Sequence, residues 1–364
     1  MGWALRTIVR AASVGAALAA PLGCELVAGI GDRHLANGES GGGTSSSSAT
    51  STSGGAGGTA AAGGSGGGVD PLGGAWPDSK TRTCTDGMAF VTCPTPPGPL
   101  HGQDGDVVSP PPAYVLTPEI ATEQVTGLAW TRQPVSVPSH DDVAAGCEGL
   151  DVGGFSDFRA PTMLELASLV DLDKTAPALD DVAFPGGGVF VWSSELVTEH
   201  DLPNEAWGVD LALGTPAHRS IADAGGHRLC VRGDLPEGDL VQISPHLVAD
   251  PMTGLTWEMQ TNPHAAFSWK NALLHCGDLE VDGRSGFRLP SAKEMLSLMR
   301  RDVKPPYVHA PLRGNVDLDA YWTSTVKPTD ATTARSAILL TGTISQAAID
   351  GITYAVICVR TSGP

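Results

Sequence analysis

The sequence predicts an α+β fold that is present in two tandem copies, each closed by a disulfide bond. A set of short motifs occurs twice in the same order, at offsets of 127 to 130 residues. Strand-like segments alternate with two short helical patterns in each copy. Each copy also carries one cysteine in its first helical pattern and another in its last strand-like segment. At about 115–125 residues, a copy is long enough to bury a modest core of its own.

The internal repeat is the strongest signal, because such order at a fixed spacing marks a duplicated unit. Each motif of the first copy has a counterpart in the second. The pairs are Thr126-Gly127-Leu128-Ala129-Trp130 with Thr253-Gly254-Leu255-Thr256-Trp257, Cys147 with Cys276, Phe158-Arg159-Ala160-Pro161 with Phe287-Arg288-Leu289-Pro290, Glu165-Leu166-Ala167-Ser168-Leu169 with Glu294-Met295-Leu296-Ser297-Leu298, Trp192-Ser193-Ser194 with Trp322-Thr323-Ser324, and Cys230-Val231-Arg232 with Cys358-Val359-Arg360.

The first predicted helix of each copy contains a cysteine on its buried face. In the second copy Ser268 is the expected N-cap, and Trp269, Ala272, Leu273 and Cys276 follow at helical spacing. In the first copy Ser139 takes the cap position, and Val143, Ala144 and Cys147 form the stripe.

The second predicted helix of each copy begins with a capping box. Thr162 is followed three residues later by Glu165, and Ser291 by Glu294. This spacing lets the hydroxyl and the carboxylate each satisfy an exposed backbone donor.

The layout predicts how the cysteines pair. Joining the cysteine of the first helix to that of the final strand gives Cys147–Cys230 and Cys276–Cys358, with nearly equal separations in the two copies. Cys84 and Cys93 are then left to close a small N-terminal hairpin. Six cysteines allow 15 arrangements, and the repeat favours this one. Each of the two long-range disulfide bonds should stabilise its repeat by about 4–4.5 kcal/mol in the chain-entropy model.

The N-terminal region predicts export and lipid anchoring. Residues 1–23 combine Arg6 and Arg10 with a short apolar run, and they end directly before Cys24. Lipidation of Cys24 would leave an even number of cysteines for disulfides in an oxidising compartment; the alternative is an ordinary signal peptide with an incidental cysteine. Residues 24–75 are rich in Gly, Ser, Thr and Ala and predict a flexible tether, or alternatively a glycosylated stalk.

The remaining segments divide into a small Cys-bridged preamble (76–105), a first repeat (106–234) and a second repeat (240–364). The chain carries a net charge of −18. An acidic protein repels phosphate backbones, so nucleic acid is not an expected partner.

Taken together, the motifs resemble the Lcl C-terminal domain family, over roughly residues 80–362. The resemblance implies an α+β fold related to C-type lectins, with surface or adhesive roles that include glycan binding. This sequence lacks the Glu-Pro-Asn, Gln-Pro-Asp and Trp-Asn-Asp motifs of calcium-dependent sugar binding. That activity is therefore not carried over.

The sequence contains no recognisable catalytic or metal-binding motif. The ten histidines show no zinc-site spacing, and no nucleophile elbow lies between a strand and a helix. Asp171 with Asp173, or Asp317 with Asp319, could contribute to a calcium site, but a solvated acidic loop is the simpler interpretation. No metal, cofactor or enzymatic activity is expected.

Residues that recur in both copies are expected to serve the fold. Arg159 and Arg288 should pair with a carboxylate or backbone carbonyls, and the repeated tryptophans should pack in the core. Those tryptophans are Trp130, Trp192, Trp257 and Trp322.

Binding specificity is expected where the copies differ, in residues 172–190 with 301–320 and residues 195–226 with 325–350. Trp207 and Tyr307 are unmatched aromatics in these stretches and are the candidate ligand contacts.

These patterns favour a non-catalytic envelope lipoprotein that presents two lectin-like binding domains, with an unknown glycan or protein as ligand. It would be held by its lipid at the outer membrane or cell surface. The alternatives are a structural component of an envelope assembly and an enzyme on a lectin-type scaffold.

Overall fold

A computed structural model describes residues 76–107, 110–198, 202–235, 238–259, 265–316 and 320–361. The predicted signal peptide, Cys24 and the tether lie outside these residues. Within them, no helix has the length and apolar character needed to cross a bilayer.

The preamble and the first repeat are built mainly of short strands. Strands β1 and β2 form the hairpin of the preamble. Their bounds and those of the first repeat are β1 (Cys84–Thr85), β2 (Phe90–Val91), β3 (Tyr114–Leu116), β4 (Ile120–Glu123), β5 (Ala129–Thr131), β6 (Val135–Ser136), α1 (Asp141–Glu148), α2 (Met163–Leu169), β7 (Phe190–Leu196), β8 (Glu205–Asp210), β9 (Thr215–Ser220), β10 (His227–Arg228) and β11 (Val231–Arg232).

The second repeat has the same elements in the same order. They are β12 (Val241–Ser244), β13 (Leu247–Asp250), β14 (Leu255–Glu258), β15 (Ala266–Phe267), α3 (Trp269–Gly277), α4 (Ala292–Leu298), β16 (Ala320–Lys327), β17 (Asp330–Ile338), β18 (Thr343–Ala348), β19 (Tyr354–Ala355) and β20 (Val359–Thr361).

Each repeat folds its strands into two sheets. In the first repeat the orders are β11-β5-β4-β3 and β6-β10-β7-β8-β9, and the second repeat repeats them as β12-β13-β14-β20 and β15-β19-β16-β17-β18. Most neighbours are antiparallel, but β10 runs parallel to β7 and β19 runs parallel to β16. The α+β prediction is confirmed, and each repeat holds two sheets in which most strand pairs are antiparallel. The closing segment of each repeat contributes one short strand to each of its two sheets.

The repeated Thr-Gly-Leu motif forms the turn between two core strands. The carboxylate of Glu123 accepts hydrogen bonds from the backbone N–H and the hydroxyl of Thr126 at 2.6 and 2.8 Å. Asp250 accepts one from Thr253 in the second repeat. Gly127 and Gly254 follow with φ of 72° and 68°. A side chain would be strained in this conformation, which explains the glycine in both copies.

The first helices match the prediction only in part. In α3 the N-cap position is Ser268 and the predicted stripe is buried, although the serine side chain makes no capping hydrogen bond. In α1 the N-cap is His140 rather than Ser139, whose hydroxyl donates to Asp142 instead. Ala144 is exposed, so only Val143 and Cys147 of that stripe face the core.

The second helices begin with the two predicted capping boxes. The capping glutamate of each also binds the repeated arginine. Arg159 donates to both carboxylate oxygens of Glu165 at 2.8 and 2.6 Å, and Arg288 makes the same two-pronged contact with Glu294. Each glutamate therefore fixes a helix start and a neighbouring strand segment together.

The three disulfides confirm the predicted pairing. Cys147–Cys230 and Cys276–Cys358 each have a Cα–Cα distance of 5.5 Å, and Cys84–Cys93 closes the preamble hairpin. The two long-range bonds tie the first helix of a repeat to its closing segment.

The two repeats share one hydrophobic core. Helices α2 and α4 pack against each other, and their leucines and methionines belong to a continuous buried cluster drawn from both repeats. The ammonium group of Lys293, in α4, donates to the carbonyl oxygens of Ser168 and Val170 at the end of α2, at 2.9 and 2.8 Å. We call this region the junction. Because of it, the described repeats form one body rather than two independent domains.

Candidate functional site

The two aromatic residues predicted to contact ligand lie inside the junction. Trp207 is 1 % exposed and Tyr307 is fully buried, and their rings meet edge to face at 5.4 Å. Neither side chain is presented at a surface, so the prediction that they contact ligand is wrong. Their contact joins the first repeat to the second within the shared core.

The repeated tryptophans pack in the core, as predicted. Trp130, Trp192, Trp257 and Trp322 have no exposed area. Trp322 donates its indole N–H to the carbonyl of Phe267 at 2.8 Å. These side chains stabilise the repeats and are not available for stacking on a ligand.

A cleft of about 670 Å³ opens beside the junction, and both repeats contribute to it. One wall comes from the first repeat and includes Arg159, Leu164 and Glu195. The other comes from the second repeat, at Met299 to Asp302 and His309. We call it the open cleft. Its volume is in the range of small-ligand sites in proteins.

The open cleft draws on the stretches in which the repeats differ. Glu195 follows the repeated Trp192-Ser193-Ser194, and Arg301, Asp302 and His309 lie in the stretch before the repeated Trp322. The repeated pair Arg159 and Glu165 also lines it. A structural pair that occurs in both repeats and side chains that differ between the repeats thus meet on one surface.

Two charged side chains that line the open cleft, the half-buried Glu195 and the buried Arg301, contain buried atoms without a hydrogen-bond partner. One oxygen of Glu195 accepts from the backbone N–H of Met163 at 3.1 Å, and the other has no partner. Arg301 is 2 % exposed, and its guanidinium donates to the carbonyl of Gly342 and lies 5.1 Å from the centre of the Trp207 ring. Its Nε and Nη1 have no acceptor.

Burial dominates the electrostatics of this pair. It raises the pKa of Glu195 despite the nearby positive charge of Arg301, and it lowers the pKa of Arg301 to about 10 despite the nearby carboxylate. A buried donor or acceptor without a partner costs about 1–3 kcal/mol, and more when it is charged. A bound molecule that supplied the missing partners would recover part of this free energy.

The rim of the open cleft is acidic. Asp234 and Asp239 are each 87 % exposed at the side chain, and Asp302 is 62 % exposed. Asp234 lies 3.3 Å from Arg159, whereas His309 lies between Asp239 and Asp302 at 3.2 and 3.0 Å.

A second cleft is related to the first by the repeat. The backbone hydrogen bonds from Asp171 to Ala178 and from Ala178 to Leu211 recur from Arg300 to Tyr307 and from Tyr307 to Leu339. The opposite walls match as well. In the first repeat the Met163 N–H donates to Glu195, and in the second repeat the Ala292 N–H donates to Thr325. The residues that line the two clefts can be matched by the repeat. One wall of the open cleft has Arg159, Leu164 and Glu195, and the matching wall of the second cleft has Arg288, Lys293 and Thr325. The other wall of the open cleft has Arg300, Arg301 and His309, and the matching wall of the second cleft has Asp171, Leu172 and Asp180.

The preamble occupies this second cleft, which we call the filled cleft. The Trp76 indole donates to the carbonyl of Lys293 at 3.1 Å. The carbonyl of Ser79 accepts from the backbone N–H of Leu172 at 3.1 Å. The carboxylate of Asp104 accepts hydrogen bonds from the hydroxyls of Thr325 and Ser79. The preamble therefore contacts both repeats at once.

Lys80 of the preamble reaches the acidic side of the filled cleft. Its ammonium group lies 3.4 Å from Asp180 and 3.8 Å from Asp171. Arg288, which faces the preamble, is less exposed at its side chain than Arg159, at 15 % against 35 %. The preamble thus covers in the second repeat a surface that stays accessible in the first.

Possible metal ligands come together at one place among the described residues, where Glu258, His275 and Cys358 offer atoms within 4.8 Å of one another. The sulfur of Cys358 is already bonded to Cys276, which leaves two ligand groups. The Asp171 carboxylate is engaged by Lys80 and by the backbone N–H of Asp173. The other predicted aspartates, Asp317 and Asp319, lie outside the described residues.

The chain matches the model of one known protein family. The Lcl C-terminal domain family matches residues 119–232 and 246–360, and the protein therefore belongs to this family with two tandem copies of its domain. None of the curated proteins matches the chain.

Sequence reasoning missed Glu195 and Arg301. Both lie in the unmatched stretches that were expected to carry specificity, but the pattern drew attention to the aromatics. The available signal was the charge difference at matched positions: Glu195 stands where the second copy has Thr325, and Arg301 stands where the first has Leu172.

Prediction: Asp104→Asn should change how stability depends on pH. Burial raises the folded-state pKa of Asp104 from 3.8 to about 7, although its hydrogen bonds to Thr325 and Ser79 lower it. Its contribution is therefore most favourable below about pH 4 and is lost as the pH rises through about 7. Asparagine does not titrate, so Asp104→Asn should not show this loss. As the pH rises from about 4 to about 7, the unfolding free energy of the original chain should fall by about 2–4 kcal/mol relative to that of Asp104→Asn.

Urea unfolding at a series of pH values measures this difference. Asp141→Asn, on the exposed side of α1, is the matched control and should run parallel to the original chain. Parallel profiles for Asp104→Asn as well would contradict the burial of this preamble carboxyl in the filled cleft.

Proposed function

We propose that this protein is an exported, lipid-anchored binding protein of the bacterial cell envelope, whose two repeats build one ligand-binding body around the open cleft. The observation that carries the proposal is the pair of incompletely hydrogen-bonded charges, half-buried Glu195 and buried Arg301, that line a cleft of about 670 Å³. Such groups reduce stability in the free protein, and a ligand bound in the cleft can supply hydrogen-bond partners for them.

The envelope address is supported by the sequence. A short apolar segment with two arginines leads to Cys24, and the cysteines beyond it are paired in three disulfides. Disulfide pairing on this scale is typical of oxidising compartments. We place the chain at the outer membrane or cell surface, with the Gly/Ser-rich tether holding the folded part away from the bilayer.

The ligand is a glycan or a protein segment. We assign each repeat a C-type-lectin-like identity, which family membership and the disulfide-closed α+β architecture support. Recognition of a sugar here would proceed without the calcium motifs that the sequence lacks. The acidic rim favours neutral or cationic ligands over sulfated ones.

A non-catalytic role is part of the proposal. Glu195, with its raised pKa, is the kind of group that serves as a general acid. However, no serine or cysteine is found among the described residues that line the open cleft, and the hydroxyl of Thr162 caps α2. His309 is held between two carboxylates. This arrangement fits binding better than nucleophilic catalysis.

Prediction: Cys24→Ala should release the chain from membranes. The cysteine thiol is the proposed attachment point of the lipid, and most of the tether, residues 40–68, consists only of Gly, Ser, Thr and Ala. Metabolic labelling with an alkyne fatty acid and membrane fractionation in a bacterium that processes lipoproteins provide the measurement. The original chain should be labelled and sediment with membranes, and Cys24→Ala should not. An unlabelled, soluble original chain would overturn the lipid anchor.

Prediction: Leu164→Trp should abolish binding at the open cleft. Leu164 lines the cleft and is partly exposed, so the larger indole would fill the space that a ligand needs. We expect at least a tenfold rise in Kd for ligands selected from glycan and peptide arrays with the purified chain. Leu213→Trp is the matched control, because Leu213 is 58 % exposed away from the cleft.

Thermal unfolding should show that both tryptophan variants fold. Ligands that bind the original chain and Leu164→Trp equally would place recognition elsewhere. The absence of any ligand from both arrays would contradict the proposed function.

A further inference from the structure

The two clefts are built on matching positions, but only the filled cleft contains a segment of this chain. We propose that the open cleft binds an extended peptide segment of a partner protein through a basic side chain of that segment. This inference rests on the proposed function and names the class of ligand for the same cleft.

The preamble is an internal example of the way in which such a cleft is occupied. Residues 76–83 run through the filled cleft with no helix or strand. They are held by backbone contacts, through the Ser79 carbonyl with Leu172, and by one side chain on the backbone, Trp76 with Lys293. Extended peptides that add to a protein through their backbone gain affinity from main-chain hydrogen bonds and specificity from side-chain pockets.

The open cleft offers a hydrogen-bond acceptor at the position where the filled cleft offers a donor. In the filled cleft the hydroxyl of Thr325 donates to the carboxylate of Asp104. Glu195 stands at the corresponding position, lines the open cleft and has one buried carboxylate oxygen without a partner. An ionised carboxylate only accepts hydrogen bonds, so it excludes an acidic side chain and suits an ammonium or a guanidinium group.

The charge of the wall that holds Lys80 in the filled cleft is also reversed in the open cleft. Asp171 and Asp180 contact that ammonium in the filled cleft. Their counterparts in the open cleft are Arg300 and His309, and these do not attract a cation. The positive group of a bound segment is therefore directed to Glu195 and to the acidic rim of Asp234, Asp239 and Asp302.

Arg301 completes the fit to a peptide backbone. It stands at the position matched to Leu172, whose backbone N–H binds the Ser79 carbonyl in the filled cleft, and its own side-chain Nε and Nη1 have no acceptor. Carbonyl oxygens of an extended chain are neutral acceptors that can satisfy these N–H groups. Glu195 and Arg301 together thus select a basic side chain next to an exposed backbone.

Binding of peptides to the full-length purified chain tests the inference. The probes are fluorescein-labelled nonapeptides of Gly, Ala and Ser, acetylated and amidated, with two central residues that are both Lys, both Arg, both Glu or both Leu. Fluorescence anisotropy should show the Lys and Arg peptides binding at least tenfold more tightly than the Glu and Leu peptides. Leu164→Trp should remove this binding.

Glu195→Thr tests the residue that sets the preference. Threonine already occupies the matched position in the second repeat, where its hydroxyl accepts the helix N–H, so the variant should fold. It should lose at least tenfold in affinity for the basic peptides and should gain affinity for the Glu peptide. Glu195→Gln, which keeps the size, should lose the basic preference without that gain. Glu148→Thr, on the exposed end of α1, should behave like the original chain.

The outcomes separate this inference from the proposed function. Equal binding of all peptides, or a basic preference that survives Glu195→Thr, would overturn the inference. So would a dimer of the chain that forms without peptide and is lost in Leu164→Trp. If a glycan binds in a way that Leu164→Trp abolishes while no peptide binds, the inference fails and the proposed function stands.

Discussion

The packing of α2 against α4 is the constraint on which the rest of the structure depends. Each of these helices has seven residues, and a helix of that length is not stable alone in water. The capping glutamate and its arginine fix the start of each helix. The apolar side of each helix packs both on strands of its own repeat, β7 and β8 for α2 and β16 and β17 for α4, and on the other helix. The two repeats therefore share a core, and the duplication yields one body.

Two matching clefts follow from this arrangement. Each lies between the Arg-Glu side of one repeat and the loop that follows the second helix of the other. The preamble fills one of them, which buries Asp104 and covers Arg288. The other is open, and it has Glu195 and Arg301 where the filled cleft has Thr325 and Leu172. The two clefts thus differ in sequence while they share one core.

The sequence was most informative wherever an interaction is local or repeated. Capping boxes span three residues, and the cysteine pairs follow from their equal placement in the two copies. The burial of Trp207 and Tyr307 could not be predicted, because their contact crosses between repeats and leaves no periodic pattern. The same applies to Glu195 and Arg301, which meet only in the folded chain. Ser139 failed as a cap because its hydroxyl has a nearer partner in Asp142.

Hydrogen exchange, followed by mass spectrometry with and without a bound ligand, tests most directly the claim that both repeats form one binding cleft. A ligand in the open cleft should slow exchange on both walls together, at residues 159–165 of the first repeat and 299–302 of the second. The preamble, at residues 76–83, should be unaffected. Protection confined to one repeat, or protection at the preamble instead, would contradict the account.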